Sequence, residues 1–318
     1  MIVEEQGSDF WTRVQLPSSP FLKGQAHMNF MDMRGSELLE KLNNEEVSFL
    51  YEIGAGDLKE EMMPAGRLCR LLAEQICKTK DDSKLRKKAI SILKTMMPAS
   101  LKAPFPEVDE AVVAGFNHPS LGEIFRLLYL GFEAYPEKDF LFPVNIPWYE
   151  NMIPIIPKLK RLGIYITPMI TPSTENKLQK RFADDDGKLA EIQYVKLVFV
   201  RHYMTLLRNF VQSHDVIMVA PSATRQAQVL SEKINPTMTF IANVVCRKED
   251  AEVVFLPVTV IEPRDYNRSV NIFRTYGIHP CEPFSAAEVR ELTSKTKDFD
   301  YRFLERIEEI HKEATAHR

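Results

Sequence analysis

A histidine and a carboxylate five residues apart, His118 and Glu123, are the residues in this chain best placed to do chemistry. The preceding run, Val112-Val113-Ala114-Gly115-Phe116, is wholly apolar and valine-rich, as a buried parallel strand is. After it, Ser120-Leu121-Gly122-Glu123 spells the Ser-x-x-Glu capping box of a helix start. Ile124, Leu127, Leu128 and Gly131 continue at helical spacing. The pattern predicts His118 at the carboxyl end of a strand, with Glu123 in the first turn of the next helix. Ligand sites of open α/β sheets gather at that edge. A carboxylate that accepts from one imidazole nitrogen fixes the tautomer, so the other nitrogen can take a proton as a general base. The plainer reading of the same residues is that Glu123 only closes the capping box and His118 is a loop histidine.

The elements around the pair fall into two kinds. Residues 1–35, with Pro17-Ser18-Ser19-Pro20, show no sustained period and form an irregular lead-in. Residues 36–102 read as a small helical subdomain. Leu38, Leu39 and Leu42 with Val47, Leu50 and Tyr51 precede a break at Gly54-Ala55-Gly56, then come Leu68, Leu71, Leu72 and Ile76, and then Leu85, Ala89, Ile92 and Met96. Its run of Lys84, Arg86, Lys87 and Lys88 reads as a solvated helix face, with docking to an acidic carrier protein or an anionic membrane as the alternative.

From 103 to 318 strands and helices alternate. Strands are expected at 112–117, 139–144, 163–170, 215–221, 239–246 and 252–261, and helices near 120–134, 149–161, 188–213 and 224–233. The alternation predicts an α/β fold with a largely parallel or mixed central sheet flanked by helices. The apolar helix near 188–213 carries Lys196, Arg201 and Arg208, which favours burial inside the protein over membrane insertion. Asp184-Asp185-Asp186-Gly187 reads as a solvated turn, because no further oxygen ligands follow it at regular spacing. A second capping box, Ser285 to Glu288, precedes a C-terminal amphipathic helix through Phe303, Ile307 and Ile310.

Composition narrows the function classes. The chain of 318 residues is 45% apolar and 27% charged, ordinary for a globular protein, and its formal charge of −3 argues against general nucleic-acid binding. The four cysteines, Cys69, Cys77, Cys246 and Cys281, show no metal-ligand spacing and suit a reducing compartment, cytoplasm or organelle stroma. No signal peptide and no apolar run of the ~18–20 residues that span a bilayer is visible, so a soluble or peripheral protein is expected. There is no G-x-S-x-G, G-x-G-x-x-G, P-loop or H-E-x-x-H pattern, and no metal or cofactor is expected.

Three further stretches run from strand into loop: Ile164-Tyr165-Ile166-Thr167-Pro168, Val216 through Arg225, and Phe255-Leu256-Pro257-Val258. With Asn117-His118 through Glu123 ahead of them, their order over 105–262 resembles the glycerolipid acyltransferase superfamily of glycerol-3-phosphate and lysophosphatidate acyltransferases. The first motif of that family is Asn-His-x-x-x-x-Asp. Ala220-Pro221-Ser222-Ala223-Thr224-Arg225 is similar to the Ala-Pro-Ser-Gly-Gly-Arg form of the soluble plastid glycerol-3-phosphate enzymes, which also carry a helical N-terminal subdomain. Glu123 stands where the family has aspartate. Thr167-Pro168-Met169 stand where its second motif has a basic residue, and Ala227 replaces a second arginine.

The resemblance implies an O-acyltransferase with His118 as base and Glu123 as its orienter, and Asn117, Ser120, Ser222, Thr224 and Arg225 on the substrates. Lys158, with Lys160 and Arg161, is a further candidate for an acceptor phosphate, against a solvated helix end. The acyl donor would be a coenzyme A or acyl-carrier-protein thioester. The acceptor would be glycerol 3-phosphate or a lysophospholipid, with peripheral membrane contact as a further expectation. The alternatives are a degenerate family member that binds acyl thioesters or lipids, and an interaction module.

Overall fold

Alternation along the strands sorts the core into two layers, one on each face of a single sheet. The computed structural model describes residues 29–118, 122–221, 234–263, 274–296 and 298–316. Helices α1 (Gly35–Asn43), α2 (Phe49–Glu52), α3 (Gly56–Glu61), α4 (Met63–Ile76) and α5 (Leu85–Met96) come first. Strand β1 (Ala99–Leu101) and β2 (Ala111–Phe116) follow, then α6 (Gly122–Ala134), β3 (Phe140–Asn145), α7 (Ile146–Met152), α8 (Ile156–Arg161) and β4 (Ile164–Met169). The rest is α9 (Pro172–Arg181), α10 (Asp186–Gln212), β5 (Val216–Val219), α11 (Thr237–Val245), β6 (Val253–Ile261), β7 (Tyr276–Pro280), β8 (Phe284–Ser285), α12 (Ala286–Glu291) and α13 (Phe299–Ala316).

Among the described residues the sheet has eight strands in the order β1-β7-β6-β2-β5-β3-β4, with β8 pairing β6. Strands β6, β2, β5, β3 and β4 are mutually parallel, while β7 and β8 run antiparallel to β6. Val112, Ala114 and Phe116 of β2 face α5 and α6, whereas Ala111 and Val113 face α10, α11 and α13. The first half of α10 packs on α1–α3 through Ile192, Val195 and Phe199, so that face of α10 is buried inside the protein, while Leu197 on another face is exposed. No described helix is long and apolar enough to cross a membrane.

Two prolines shape the sheet edge. Phe140 donates its N–H toward β4, to Gly163. By strand alternation Pro143 should donate toward β5, and it has no N–H. Pairing of β3 with β5 accordingly stops at Leu141, and the two strands part beyond it. In β6, Pro257 falls between the stretch paired by β8 (Val254, Phe255) and the stretch paired by β7 (Val258 to Ile261), where a missing donor costs least.

Several expectations need correction. Residues 239–246, read as a strand, form α11. Met238, Ile241, Ala242 and Val245 are among its buried residues, an i, i+3, i+4, i+7 pattern that the β-branched composition conceals. Strands β1, β7 and β8, of two to five residues, add to the expected set. Arg86 does not belong to a solvated face. It donates to the carbonyls of Leu162, Pro136 and Lys138 and to Asp139, and so ties α5 to the turns into β3 and β4. The helix expected near 224–233 lies outside the described residues.

Candidate active site

Strand β2 ends by borrowing a side chain as backbone. Phe116 pairs with Val258, and the next residue, Asn117, uses its amide to continue the ladder. Asn117 Oδ1 accepts from the Val260 N–H at 2.6 Å, and its Nδ2 donates to the Val260 carbonyl at 2.9 Å. With one donor and one acceptor spent on Val260 and the residue buried, the Asn117 amide anchors the turn that follows β2.

The residue so positioned is His118. Its Nδ1 bonds to Glu123 Oε1 from the first turn of α6, and its ring meets Phe116 edge-on at 6.4 Å. The Glu123 side chain is fully buried and that of His118 is 15% exposed. An ionised carboxylate only accepts, so in a neutral imidazole paired with it Nδ1 carries the hydrogen and Nε2 the lone pair. Three residues on, Arg126 is the largest fully buried side chain among the described residues. Its Nε donates to the Pro98 carbonyl at 2.9 Å and Nη2 to the Arg274 carbonyl at 2.6 Å, and its guanidinium lies 4.0 Å from the Tyr276 ring centre. Burial pushes the guanidinium below its ordinary value, and the nearby Tyr276, Tyr129 and Glu123 act in the other direction.

His118 lines a cavity of about 790 Å³ whose walls are mostly apolar. The parting of β3 from β5 opens it. Phe142 to Asn145 form one side and Met218 to Ala220 the other, with Phe116, Ile166 and Met169 between helices α4 and α5 and the sheet. Leu72, Ala73, Ile76, Ala89 and Leu93 of those two helices close it from above. Most of the strand residues among these lie toward the C-terminal ends of parallel strands, the edge where α/β sheets hold ligands. A few polar groups interrupt the wall: Asn145, which donates to Thr174 Oγ1 at 2.8 Å, and the ion pair of Glu61 with Lys177 at 2.9 Å.

The structure thus joins His118 and Glu123 and places the histidine on a cavity. It does not bring Lys158 there. In the last turn of α8 Leu159 lines the cavity while Lys158 and Lys160 do not, and Arg161 pairs with Asp82 at 2.5 Å. Ser120, Ser222, Thr224 and Arg225 lie outside the described residues. Thr167, at the second-motif position, is fully buried within β4, while Lys177 on α9 is a cation lining the cavity. Sequence reasoning missed Lys177 and Arg126. Arg126 had one signal, a charge among the apolar neighbours Ile124, Leu127 and Leu128. Among the described residues no group of three or more His, Cys, Asp or Glu could hold a metal ion. Asp185 instead caps α10 by accepting from the Lys188 N–H at 2.9 Å.

No family model and no curated protein matches this chain. Among solved structures it is similar to a 1-acyl-sn-glycerophosphate (LPA) acyltransferase from Thermotoga maritima, at 16% identity with a TM-score of 0.42, over 88% of this chain and 97% of that one. At that level of likeness the site has to be read from its own residues.

Proposed function

We propose that this chain is an O-acyltransferase that moves a fatty acyl group from a coenzyme A or acyl-carrier-protein thioester to a hydroxyl of glycerol 3-phosphate or a related lysophospholipid. One observation carries the reading: a carboxylate-held histidine lines a large apolar cavity at the C-terminal edge of a parallel sheet. The cavity suits an alkyl chain, and the histidine suits proton transfer at its head. The order of motifs in the sequence supports the same chemistry.

In this reading Nε2 of His118 takes the proton of the acceptor hydroxyl as its oxygen attacks the thioester carbonyl carbon. The tetrahedral intermediate collapses by breaking the C–S bond, and the imidazolium returns the proton to the departing sulfur. No covalent enzyme intermediate is needed. Positioned proton transfer of this kind contributes ~10²–10⁴-fold in rate. Arg225, by its motif position, is the proposed holder of the acceptor phosphate, and Arg225→Ala should raise the acceptor KM by about 10- to 100-fold with little effect on the donor KM.

The test is release of free thiol from long-chain acyl-CoA and acyl carrier protein, with and without glycerol 3-phosphate or a lysophospholipid. Acceptor-dependent release that disappears in His118→Ala supports the proposal. Tight binding of acyl thioesters without acceptor-dependent release, equal in wild type and His118→Ala, would show a lipid-binding protein instead.

A further inference from the structure

The cavity does not stay on one face of the sheet. Beyond Leu141 strands β3 and β5 part, and the walls come from both sides of that slit. Leu72, Leu93 and Phe132 belong to the core packed on α4–α6, whereas Tyr203 and Val219 belong to the core on the opposite face, with Phe240 packed against it. Tyr203 of α10 is 3% exposed, and its ring stacks on that of Phe240 of α11 at 6.5 Å between centres. Its hydroxyl is buried and has no hydrogen-bond partner among the described residues. We propose that Tyr203 is a substrate-contacting residue: its hydroxyl donates to an oxygen of the acyl acceptor, which lies in the chamber of Tyr203, Ala220, Thr237 and Phe240 while the acyl chain takes the chamber across the slit. The inference rests on the acyltransferase reading of the cavity.

The ring alone does not account for a tyrosine here, because phenylalanine would stack on Phe240 equally well. The tyrosine adds a hydroxyl, and a buried hydroxyl without a partner destabilises the folded protein. A ligand oxygen that meets it removes that penalty. A second cavity-lining residue repeats the pattern at the rim of the slit. Asn145, at the end of β3, donates from Nδ2 to Thr174 Oγ1 at 2.8 Å, and its Oδ1 is buried without a partner among the described residues. A donor at Tyr203 and an acceptor at Asn145 suit a ligand that carries both free hydroxyls and ester or phosphate oxygens. An alkyl chain would leave both unsatisfied.

The two chambers differ in the way this division of labour requires. Across the slit Leu72, Ala73, Ile76, Ala89, Leu93 and Phe132 offer only apolar side chains. The Tyr203 chamber is close to the base, since Val219 pairs with Gly115 of β2, three residues before His118, and neighbouring strands lie about 4.8 Å apart. Burial pushes the Tyr203 phenol above its ordinary value, so it remains a neutral donor near pH 7.

The experiment uses Tyr203→Phe, which removes the hydroxyl and keeps the ring. Calorimetry gives the Kd of glycerol 3-phosphate, of a short-chain lysophosphatidate and of palmitoyl-CoA, beside the KM values and the melting temperature of the ligand-free protein. One hydrogen bond to a ligand corresponds to about 2- to 13-fold in affinity. The acceptor Kd and KM should rise by that factor, with the palmitoyl-CoA Kd and turnover at saturating acceptor unchanged. The melting temperature should hold or rise, because an unpaired hydroxyl has been removed. A lower melting temperature would overturn the proposal and make the hydroxyl a structural tie. Unchanged acceptor affinity, an equal loss for donor and acceptor, or a wild type that binds neither acceptor would overturn it too. Binding is read without turnover, so an inactive wild type would sink the acyltransferase reading while the acceptor affinities still decide this inference.

Discussion

His118 can serve as a base only while Nε2 is unprotonated and the ring is held, and each condition has a separate substitution. His118→Ala should lower turnover by about two to four orders of magnitude with an unchanged melting temperature. Glu123→Gln keeps a side chain that serves in a capping box but removes the charge facing Nδ1, so turnover should drop clearly. If Glu123→Gln lowered the melting temperature and spared turnover, the capping reading would stand and the catalytic one would fall. Asn117 is a different case, since its amide completes a backbone ladder with Val260. Asn117→Ala leaves a buried N–H and carbonyl of β6 unpaired and should cost about 2–4 kcal/mol in chemical denaturation, at about 1–3 kcal/mol for each group left without a partner. Turnover should fall with it, because the turn that aims His118 loses its anchor. The informative intermediate is Asn117→Asp, since a carboxylate can accept from the Val260 N–H but cannot donate to its carbonyl. That variant should recover only part of the loss.

Among the elements, α12 shows how far a local signal reaches. The Ser285–Glu288 box forms as its sequence predicts: the Ser285 N–H and hydroxyl both donate to Glu288 Oε2 at 2.7 Å. Those bonds hold the Glu288 carboxyl below its ordinary value. A depressed folded value means that the stabilisation is fully present above the ordinary carboxylate range and fades as the pH falls through the folded value. Ser285→Ala should lower stability by about 1 kcal/mol near pH 7 and by less at about pH 3, as urea melts at the two pH values would show. Helix α4 depends on something its pattern does not reveal. A Cβ at Gly66 would lie 2.7 Å from Asn151 Cβ, so α4 and α7 approach as closely as they do only because that position is bare. Gly66→Ala should cost about 1–3 kcal/mol by overpacking and shift the α4 wall of the cavity. Unchanged stability would mean that Asn151 can move aside. The misread α11 belongs at this scale too. Its β-branched residues satisfy a strand composition, and only the spacing of its buried set makes it a helix.

At the scale of the whole molecule, the cavity is the property that no segment owns. Its walls come from α4, α5, the parallel strands and the start of α9, spread from Leu58 to Phe240. Ala73→Phe adds a ring to the α4 wall, and it should cut turnover of long-chain thioesters by about tenfold or more while sparing short ones, since a few methylenes in an apolar pocket are worth ~10–200-fold. Equal loss for every chain length would mean that the chain lies elsewhere. The sequence by itself determined the α/β alternation and, within a span of about 25 residues where periodicity and capping speak directly, the strand ending at Phe116 and the helix opening near Glu123. The tertiary structure decided the rest. Asn117 finds its partner 143 residues away, and Arg126 finds carbonyls 28 and 148 residues away. Lys158 stays off the cavity wall although its neighbour Leu159 lines it, because adjacent helical positions face different ways. Pro143 carried a local fact, a missing donor, whose meaning depended on β5 arriving beside it. Local patterns fix which residues face inward, but which inward faces meet, and where they fail to close and leave a cavity, is settled only when distant segments pack.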